Sequence, residues 1–374
     1  MHDRIYVCHT FYHVYVACLK EFHILHEYKK TEGFSDKKAA AGSDVCGRAT
    51  LVLSKMSNKF GSMVDRAREC GLFEEVIEYD EKIDTFFPEL APLKTNTGSL
   101  FKNMINRIKF CRRFGQLQEK YVPVDFKAYK DIYVFCDSDP IGYYLNYKKI
   151  RYHALEDGLN CIKYGDQARY DNNGHFRFKA FMAKTGLIFI QNGWGRYCID
   201  MEVNDISILD YPCPKYIEVR REPLVDELTR SDKELMLKLF VENMDELKEK
   251  LAEGKDKKRV LILSEPLCDL DTRQRLFRDL VTEYGEGAVV MIKQHPRDYL
   301  DYTKYFPDVI LLAGTFPMEM LNFIEGLKFD KLVSVYTVVD SIRFVDEKIF
   351  LGDDFMDKYE APEIHRLNEQ IIDN

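Results

Sequence analysis

The runs Arg259-Val-Leu-Ile-Leu-Ser264 and Ala288-Val-Val-Met-Ile-Lys293 are two short apolar stretches that each end in polar side chains. Between them, Asp271–Tyr284 has the apolar spacing of an amphipathic helix. A strand, a helix and a second strand in this order form a βαβ unit, whose two strands lie parallel in one sheet. The second half of the chain is therefore predicted to be an α/β fold with a parallel sheet.

The same alternation of short apolar runs and amphipathic stretches continues on both sides of this unit. In the first half we predict strands at Arg4–Cys8, Thr50–Ser54, Glu75–Tyr79, Asp131–Phe135 and Arg151–Leu155, and helices at Tyr12–Tyr28, Lys59–Cys70 and Leu100–Tyr121. In the second half, a capping box at Ser231-Asp-Lys-Glu234 opens a helix to about Glu253. Further elements are predicted at Val309–Leu312, Pro317–Gly326, Lys331–Ser334, Val338–Val345 and, as a final helix, Asp354–Ile371.

The length of 374 residues exceeds one ordinary core and suits two domains. Tyr211-Pro-Cys-Pro214 interrupts the alternation, so we predict domains at residues 1–210 and 211–374. Between residues 163 and 210 the periodicity is poor. Such a segment is typical of a loop that faces substrate, and equally of a surface insertion without a role.

The composition is that of a globular protein, with 46% hydrophobic and 31% charged residues. The net charge of −8 argues against a nucleic-acid partner held by overall charge, although it leaves room for a local basic cleft. The ten cysteines form no CxxC pair, so we expect free thiols in the cytoplasm and no zinc site. No apolar run reaches the roughly 20 residues of a membrane span, and peripheral membrane attachment stays open.

Ligands of open parallel sheets bind beyond the carboxyl ends of the strands, so polar residues that follow apolar runs are candidates for a site. Five segments have this character: Cys8-His9-Thr10-Phe-Tyr-His13; Glu156-Asp157-Gly158; Ser264-Glu265-Pro266; Lys293-Gln294-His295-Pro296; and the turns at Pro317-Met-Glu319 and Ser334-Val-Tyr-Thr337-Val-Val-Asp-Ser341. Each segment alone is equally compatible with a helix cap, an acidic turn or a solvated loop.

The residue types nevertheless indicate a chemistry. A carboxylate in the acidic turn can act as general base for a hydroxyl nucleophile, and Gly158 permits a sharp bend there. A protonated His295 beside Lys293 suits a phosphate group. Strand-to-helix turns that carry hydroxyls, as read around Thr337, bind phosphate through backbone N–H groups.

Taken in order, these segments resemble the bacterial lipooligosaccharide-type sialyltransferases of glycosyltransferase family 52, and more distantly the bacterial polysialyltransferases. The matching motifs are acidic-acidic-Gly at Glu156-Asp157-Gly158, a Leu-Thr-Gln-Pro-Leu-like segment at Leu263-Ser264-Glu265-Pro266-Leu267, Lys-x-His-Pro at Lys293–Pro296 and Pro-x-Glu at Pro317–Glu319. The family's hydroxyl pair is replaced by Tyr336-Thr337, which leaves Thr337 as the best match and Ser334 or Ser341 as substitutes.

The resemblance implies a GT-B architecture, in which two Rossmann-like domains face each other across a cleft. It further implies inverting transfer of sialic acid from CMP-sialic acid to a glycan hydroxyl, for a bacterial surface polysaccharide or lipooligosaccharide, without metal or cofactor. The partners it implies are a nucleotide sugar and a glycan acceptor, no nucleic acid, a second copy of the chain in a homodimer, and the inner membrane as a peripheral contact.

Individual roles also follow from the resemblance. Asp157 is expected to be the general base, with Glu156 orienting its loop. His295 is expected to meet the leaving phosphate as hydrogen-bond donor or as acid, and Thr337 is expected to add another donor. Glu319 and the Ser264–Pro266 turn are expected near the cytidine and its ribose.

Two alternatives remain at this point. Asp137-Ser138-Asp139 has the DxD spacing of a clamp for a metal-bound diphosphate, which would favour another nucleotide sugar, and His-Pro loops also occur in polyol-phosphate transferases that use CDP-glycerol. The other alternative is a nucleotide-sugar-binding protein without catalytic activity.

Overall fold

The computed structural model of the chain describes residues 2–33, 47–57, 59–135, 137, 140–158, 162, 175–209 and 212–365. The chain divides into two compact units, Met1–Leu228 and Thr229–Asn374. Each unit has its own sheet, and every strand pairing in both sheets is parallel. The predicted α/β class with parallel sheets is therefore confirmed.

The first unit contains a seven-stranded sheet in the order β3-β2-β1-β4-β5-β6-β7. Its strands are β1 (His2–Cys8), β2 (Thr50–Ser54), β3 (Glu75–Tyr79), β4 (Tyr129–Phe135), β5 (Tyr152–Leu155), β6 (Cys198–Val203) and β7 (Tyr216–Glu218). Its helices are α1 (Phe11–Gly33), α2 (Met63–Glu69), α3 (Ala91–Lys94), α4 (Leu100–Gln118), α5 (Pro140–Lys148), α6 (Phe176–Thr185) and α7 (Arg221–Asp226). Short 3-10 helices lie at Asp84–Phe86, Pro88–Leu90 and Phe126–Ala128.

The second unit contains a five-stranded sheet in the order β10-β9-β8-β11-β12. Its strands are β8 (Lys258–Leu263), β9 (Ala288–Lys293), β10 (Ile310–Leu312), β11 (Phe329–Ser334) and β12 (Val345–Phe350). Its helices are α8 (Arg230–Phe240), α9 (Met244–Ala252), α10 (Leu270–Gly285), α11 (Tyr302–Tyr305), α12 (Gly352–Met356) and α13 (Pro362–His365), with a 3-10 helix at Met318–Phe323.

The central strands are apolar because helices cover both faces of a parallel sheet. In the first unit, all five residues of β2 are buried, as are the last five of β1. In the second unit, β8 is buried from its second residue onward. The βαβ prediction made from β8, α10 and β9 is thus confirmed, with β8 and β9 as direct neighbours.

The first unit extends past the predicted boundary at residue 210. Two strands that the sequence reading did not identify, β6 and β7, continue its sheet, and β7 pairs in parallel with β6. Helix α7 follows and packs on α1. The division in the structure therefore falls after Leu228, because β6 and β7 pair with the first sheet and α7 packs on α1.

Three predictions in the second unit are wrong in detail. The helix expected from Ser231 to Glu253 is two helices, because Thr229 caps α8 in a capping box with Asp232 and Asn243 caps α9. The segment 335–344 is a loop that leads from β11 directly to β12, so no helix follows β11 there. The final helix is replaced by α12 and α13, and residues 366–371 lie outside the described residues.

Among the residues with described positions, no helix combines the length and the apolar character that crossing a membrane requires.

Candidate active site

The carboxyl ends of β1 and β5 bring the first two candidate segments to one edge of the first sheet. β4 lies between these strands and pairs with both. The segment after β1 continues into α1, whereas the segment after β5 begins with Glu156. Because parallel strands end at the same edge, the order of the strands alone accounts for this meeting of residues about 145 positions apart.

At this edge, His13 contacts Asp157. The Nε2 atom of His13 and Oδ1 of Asp157 are joined by a short hydrogen bond. The side chain of His13 is fully buried, whereas that of Asp157 is 27% exposed. Nδ1 of His13 accepts the backbone N–H of His9 at 3.0 Å. Burial lowers the pKa of His13, and the neighbouring Asp157 opposes that shift.

A second buried pair lies behind this contact. Nε2 of His9 and Oε2 of Glu81 are 2.7 Å apart. The same Glu81 carboxylate accepts the hydroxyl of Ser54 at 2.6 Å and the backbone N–H of Ile141 at 3.1 Å. Thr10 accepts the backbone N–H of His13 and so caps α1, a structural role.

Sequence reasoning missed Glu81 and Ser54. Ser54 is the last residue of β2, and Glu81 follows β3 by two positions. The rule that selected the acidic turn after β5, polar residues at strand ends, would also have selected both of these residues.

The two carboxylates of the acidic turn have different surroundings. Glu156 is buried, and its Oε2 accepts the backbone N–H of Asn204 at 3.0 Å. Burial raises the pKa of Glu156, while Arg221 acts in the opposite direction. Gly158 follows with φ of +119°, a backbone conformation that residues with a side chain rarely adopt. Glu156 is therefore fixed within the fold, and Asp157 is the member of the pair that solvent reaches.

Asp137 is held by the protein itself. It is buried, and its carboxylate accepts backbone N–H groups of Asn192 at 2.5 Å and Gly193 at 3.3 Å, together with the hydroxyl of Tyr152 at 3.0 Å. These contacts fix the 191–195 turn. Ser138 and Asp139, the remaining members of the DxD sequence, lie outside the described residues. Within the described ranges, no group of three or more acidic, histidine or cysteine side chains has the arrangement of a metal site.

In the second unit, His295 lies just after β9 and is half-buried. Its backbone N–H donates to Oγ of Ser264 at 3.0 Å, and its Nδ1 accepts the backbone N–H of Arg297 at 3.1 Å. Burial, followed by the positive charges of Arg297 and Lys293, lowers the pKa of His295 to about 4. The imidazole is therefore neutral near pH 7, and not the preformed cation that its basic neighbours suggested.

The carboxylate of Glu265 accepts hydrogen bonds from the backbone of the loop after β11. It is buried and accepts N–H groups of Val335, Tyr336 and Thr337 at 3.1–3.2 Å. Burial raises the pKa of Glu265, and these hydrogen bonds oppose the shift. The adjacent residues Ser264 and Glu265 thus tie the His295 loop and the 335–337 loop to the same strand end.

Lys293 points into the unit. Its Nζ donates to the carbonyl of Ala313 at 2.6 Å and lies 4.2 Å from the ring centre of Phe316. Burial lowers the pKa of Lys293 to about 7, against the attraction of Glu319. Glu319 itself is half-buried with a pKa raised by burial. This arrangement gives Lys293 a packing role within the unit.

The hydroxyl candidates after β11 have separate environments. The hydroxyl of Ser334 donates to the carbonyl of Thr337 at 2.9 Å, and Thr337 is half-buried. Tyr336, which replaces a hydroxyl of the family pattern, donates its phenol to Asp353 at 2.7 Å. Ser341 is exposed. The two prolines of the candidate segments, Pro266 and Pro296, are also exposed.

The fold and these two strand-end clusters define an α/β protein of the GT-B class, built from two Rossmann-like units. The chain belongs to glycosyltransferase family 52, whose family model matches residues 72–348. It is therefore a glycosyltransferase. The combination of Asp157 from one unit with His295 from the other in one active site stays a prediction.

Solved structures with this fold include two bacterial enzymes. An alpha/beta-galactoside alpha-2,3-sialyltransferase from Photobacterium phosphoreum is 13% identical with a TM-score of 0.50, and the match covers 99% of this chain and 94% of that one. A 2,6-sialyltransferase from a Photobacterium species, in complex with CMP and lactose, is 8% identical with a TM-score of 0.51, covering 93% and 71%. At these identities the likeness is one of fold.

A curated relative from Haemophilus influenzae, described as an uncharacterized protein, is 30% identical over 74 residues. The match covers 20% of this chain and spans 23% of the relative's length.

Proposed function

We propose that this glycosyltransferase moves sialic acid from CMP-sialic acid to a hydroxyl of a glycan acceptor, with inversion and without a metal ion. The observation that carries the proposal is the partly exposed Asp157 at a strand end, held by a buried imidazole, in a chain of family 52. The fold likeness to two sialyltransferases, one described with CMP and lactose, supports the same donor class.

The proposed chemistry divides between the two units. Asp157 removes the proton of the acceptor hydroxyl as general base, which contributes typically about 10²–10⁴ in rate. The departing CMP gains negative charge on its phosphate as the bond to the anomeric carbon breaks. His295 donates its Nε2–H to that phosphate, where a preorganised donor acts on charge that develops in the transition state.

A neutral His295 fits this role. Its Nδ1 accepts a backbone N–H, so its ring proton lies on Nε2. An arriving phosphate would raise the pKa of His295, because an opposite charge favours the protonated ring. The same residue can therefore bind the phosphate as a neutral donor and become a stronger donor as charge accumulates.

The test is transfer from CMP-sialic acid to lactose with Asp157→Asn and a matched control, Asp200→Asn. Asp200 also bonds a histidine, His153 at 2.7 Å, and its side chain is 24% exposed, but it lies within β6 and not after a strand. We expect Asp157→Asn to lose about 10²–10⁴ in kcat while still binding CMP, and Asp200→Asn to stay within threefold of the wild type. Near-normal turnover of Asp157→Asn would refute the assignment of Asp157 as general base.

The donor and the metal requirement are measured separately. Thermal shifts with CMP, CDP, UDP and GDP are expected to show stabilisation by CMP, whereas a preference for UDP or CDP would favour another nucleotide sugar or a polyol-phosphate donor. Activity is expected to survive a chelator. The anomeric configuration of the product, read by NMR, tests inversion.

The acceptor context is also a proposal. From the resemblance we infer a bacterial surface polysaccharide or lipooligosaccharide as acceptor and a homodimer as assembly. From the sequence we infer the cytoplasm, with peripheral contact to the inner membrane, as location.

A further inference from the structure

We propose that His13 is a positioning residue for Asp157: its Nε2–H donates to the carboxylate, orients it and favours its ionised form for proton transfer. This inference rests on the proposed function of Asp157. It assigns a second residue to the action of the base. Asp157 follows β5, whereas His13 lies on α1, which follows β1, and β1 and β5 are the two neighbours of β4 in the sheet.

The hydrogen bonds of the ring fix its tautomer. The backbone N–H of His9 can only donate, and it points to Nδ1 of His13 at 3.0 Å. Nδ1 therefore carries no proton, and the single ring proton of neutral His13 lies on Nε2. Nε2 faces Oδ1 of Asp157, so the contact is an N–H donated to a carboxylate oxygen. A donor in this position favours the ionised carboxylate.

Burial favours the neutral form of the ring. Burial lowers the pKa of His13, His9 acts in the same direction, and Asp157 opposes both. Glu81 faces His9 at 2.7 Å, and Glu156 lies on the chain next to Asp157. A second proton on His13 would also displace the N–H of His9 from Nδ1. Burial and the backbone N–H of His9 at Nδ1 therefore both favour a neutral imidazole beside the carboxylate.

The ring has little freedom to move. It stacks on Phe135 at a centroid distance of 4.5 Å and an interplanar angle of 11°. The backbone N–H of His13 bonds Thr10 in the first turn of α1. His9 is in turn tied to Glu81, whose carboxylate also holds Ser54. The ends of β1, β2 and β4 thus all contribute to the position of one N–H group.

The same geometry excludes His13 as the base itself. Its side chain is fully buried, and both ring nitrogens are engaged, one by His9 and one by Asp157. A substrate hydroxyl reaches Asp157, whose side chain is partly exposed, before it could reach the imidazole. His13 therefore acts through the carboxylate.

The experiment compares His13→Gln with His13→Leu in the full-length chain. The amide nitrogen of Gln can replace Nε2 as a donor, whereas Leu fills the apolar contact with Phe135 and removes the donor. His153→Leu is the control, because it breaks the analogous contact with Asp200. The readouts are kcat and donor KM from pH 5 to 9, with the thermal midpoint recorded for each variant.

We expect His13→Leu to lower kcat about 10- to 100-fold and to move the acid limb of its pH profile about one unit higher, since the carboxylate loses a donor. Donor KM should stay within about twofold, and His13→Gln should recover most of kcat and the wild-type acid limb. A folded His13→Leu protein with the wild-type acid limb would overturn the inference, as would a His13→Gln protein that behaves like His13→Leu.

A measurement without substrate covers the case in which His13→Leu fails to fold. Two-bond ¹H–¹⁵N spectra of the wild-type imidazoles should show His13 as the neutral Nε2–H tautomer from pH 5 to 8, with its ring signals shifted in Asp157→Asn. A protonated ring or the Nδ1–H tautomer contradicts the inference. If Asp157→Asn retains turnover, the proposed function fails instead, so the two failures are distinguishable.

Discussion

His13 in the first unit and His295 in the second follow β1 and β9, and their rings are tied in the same way. Nδ1 of His13 accepts a backbone N–H at 3.0 Å, and Nδ1 of His295 accepts one at 3.1 Å. Both rings therefore carry their proton on Nε2. In the first unit Nε2 meets Asp157, whereas in the second the described residues provide no hydrogen-bond partner for it.

The difference lies in burial and charge. His13 is fully buried and its donor is used by a carboxylate of the same unit. His295 is half-buried, and its pKa is lowered by burial and then by the charges of Arg297 and Lys293. In the proposed roles, the same backbone hydrogen bond leaves Nε2 of one ring to position a protein side chain and Nε2 of the other to donate to an anion.

The largest effect that separates the two rings is expected from His295→Ala. Loss of the donor to the leaving phosphate should lower kcat about 10²–10³-fold and weaken CMP binding. His295→Gln, which retains an N–H, should keep part of the activity.

His365→Gln is the control in the same unit, since His365 bonds Asp357 at 2.9 Å through Nε2 and so lacks the open donor. Steady-state kinetics and CMP titrations check the set. If His295→Ala turned over within threefold of the wild type, His295 would not donate to the leaving phosphate, and the proposed difference between His295 and His13 would fail.

A smaller effect is expected from Glu265→Gln, which tests how the second unit holds its loops. The carboxylate accepts three successive backbone N–H groups at Oε1, and the N–H of Tyr336 also reaches Oε2. A neutral amide oxygen accepts these N–H groups more weakly than a carboxylate does, and the amide NH2 in the place of Oε2 would oppose the N–H of Tyr336. The 335–337 loop should therefore shift, and donor KM should rise about tenfold, equivalent to roughly 1.4 kcal/mol.

Asp330→Asn is the matched control for this substitution. Asp330 also accepts a backbone N–H, that of Arg259 at 2.7 Å, but at the opposite end of the sheet, where β8 begins. The donor KM of Asp330→Asn should equal that of the wild type. A rise in KM of equal size for both variants would assign the effect of Glu265→Gln to general stability.

Sequence patterns predicted the parallel fold because strands that are buried on both faces consist of continuous apolar runs, such as those of β2 and β8. They missed β6 and β7 because those strands lie at one side of the sheet, where β6 reads CIDMEV with polar positions and β7 has three residues. Strands of this kind are stabilised by pairing with a neighbour, which a single sequence does not display.

The candidate site residues also divide into those that sequence patterns predicted and those that they did not. Strand-end position alone selected Asp157, His13 and His295, because the topology of a parallel sheet brings such residues to the carboxyl edge of their own sheet. The use of Glu265 could not be predicted, since its carboxylate meets backbone groups about 70 residues away. Residue type indicates what a side chain can bind, and only the packed fold decides whether a backbone N–H has already bound it.

The smallest expected effect is on the pH dependence of stability, and it separates the open ring from the buried one. The pKa of His295 is about 4 in the folded chain and about 6.5 for an unperturbed imidazole. Between these values the unfolded chain binds a proton that the folded chain does not, so stability is lost as pH falls from about 6.5 to 4, by at most about 1.4 kcal/mol per pH unit.

His295→Gln should remove this slope, so that its thermal midpoint relative to the wild type rises between pH 7 and pH 5, by about 2–4 °C for each kcal/mol. Saturating CMP should reduce the wild-type slope as well, because the bound phosphate favours the protonated ring in the folded state. A slope that CMP leaves unchanged would mean that the phosphate does not meet His295, and the contrast with His13 would then rest on burial alone.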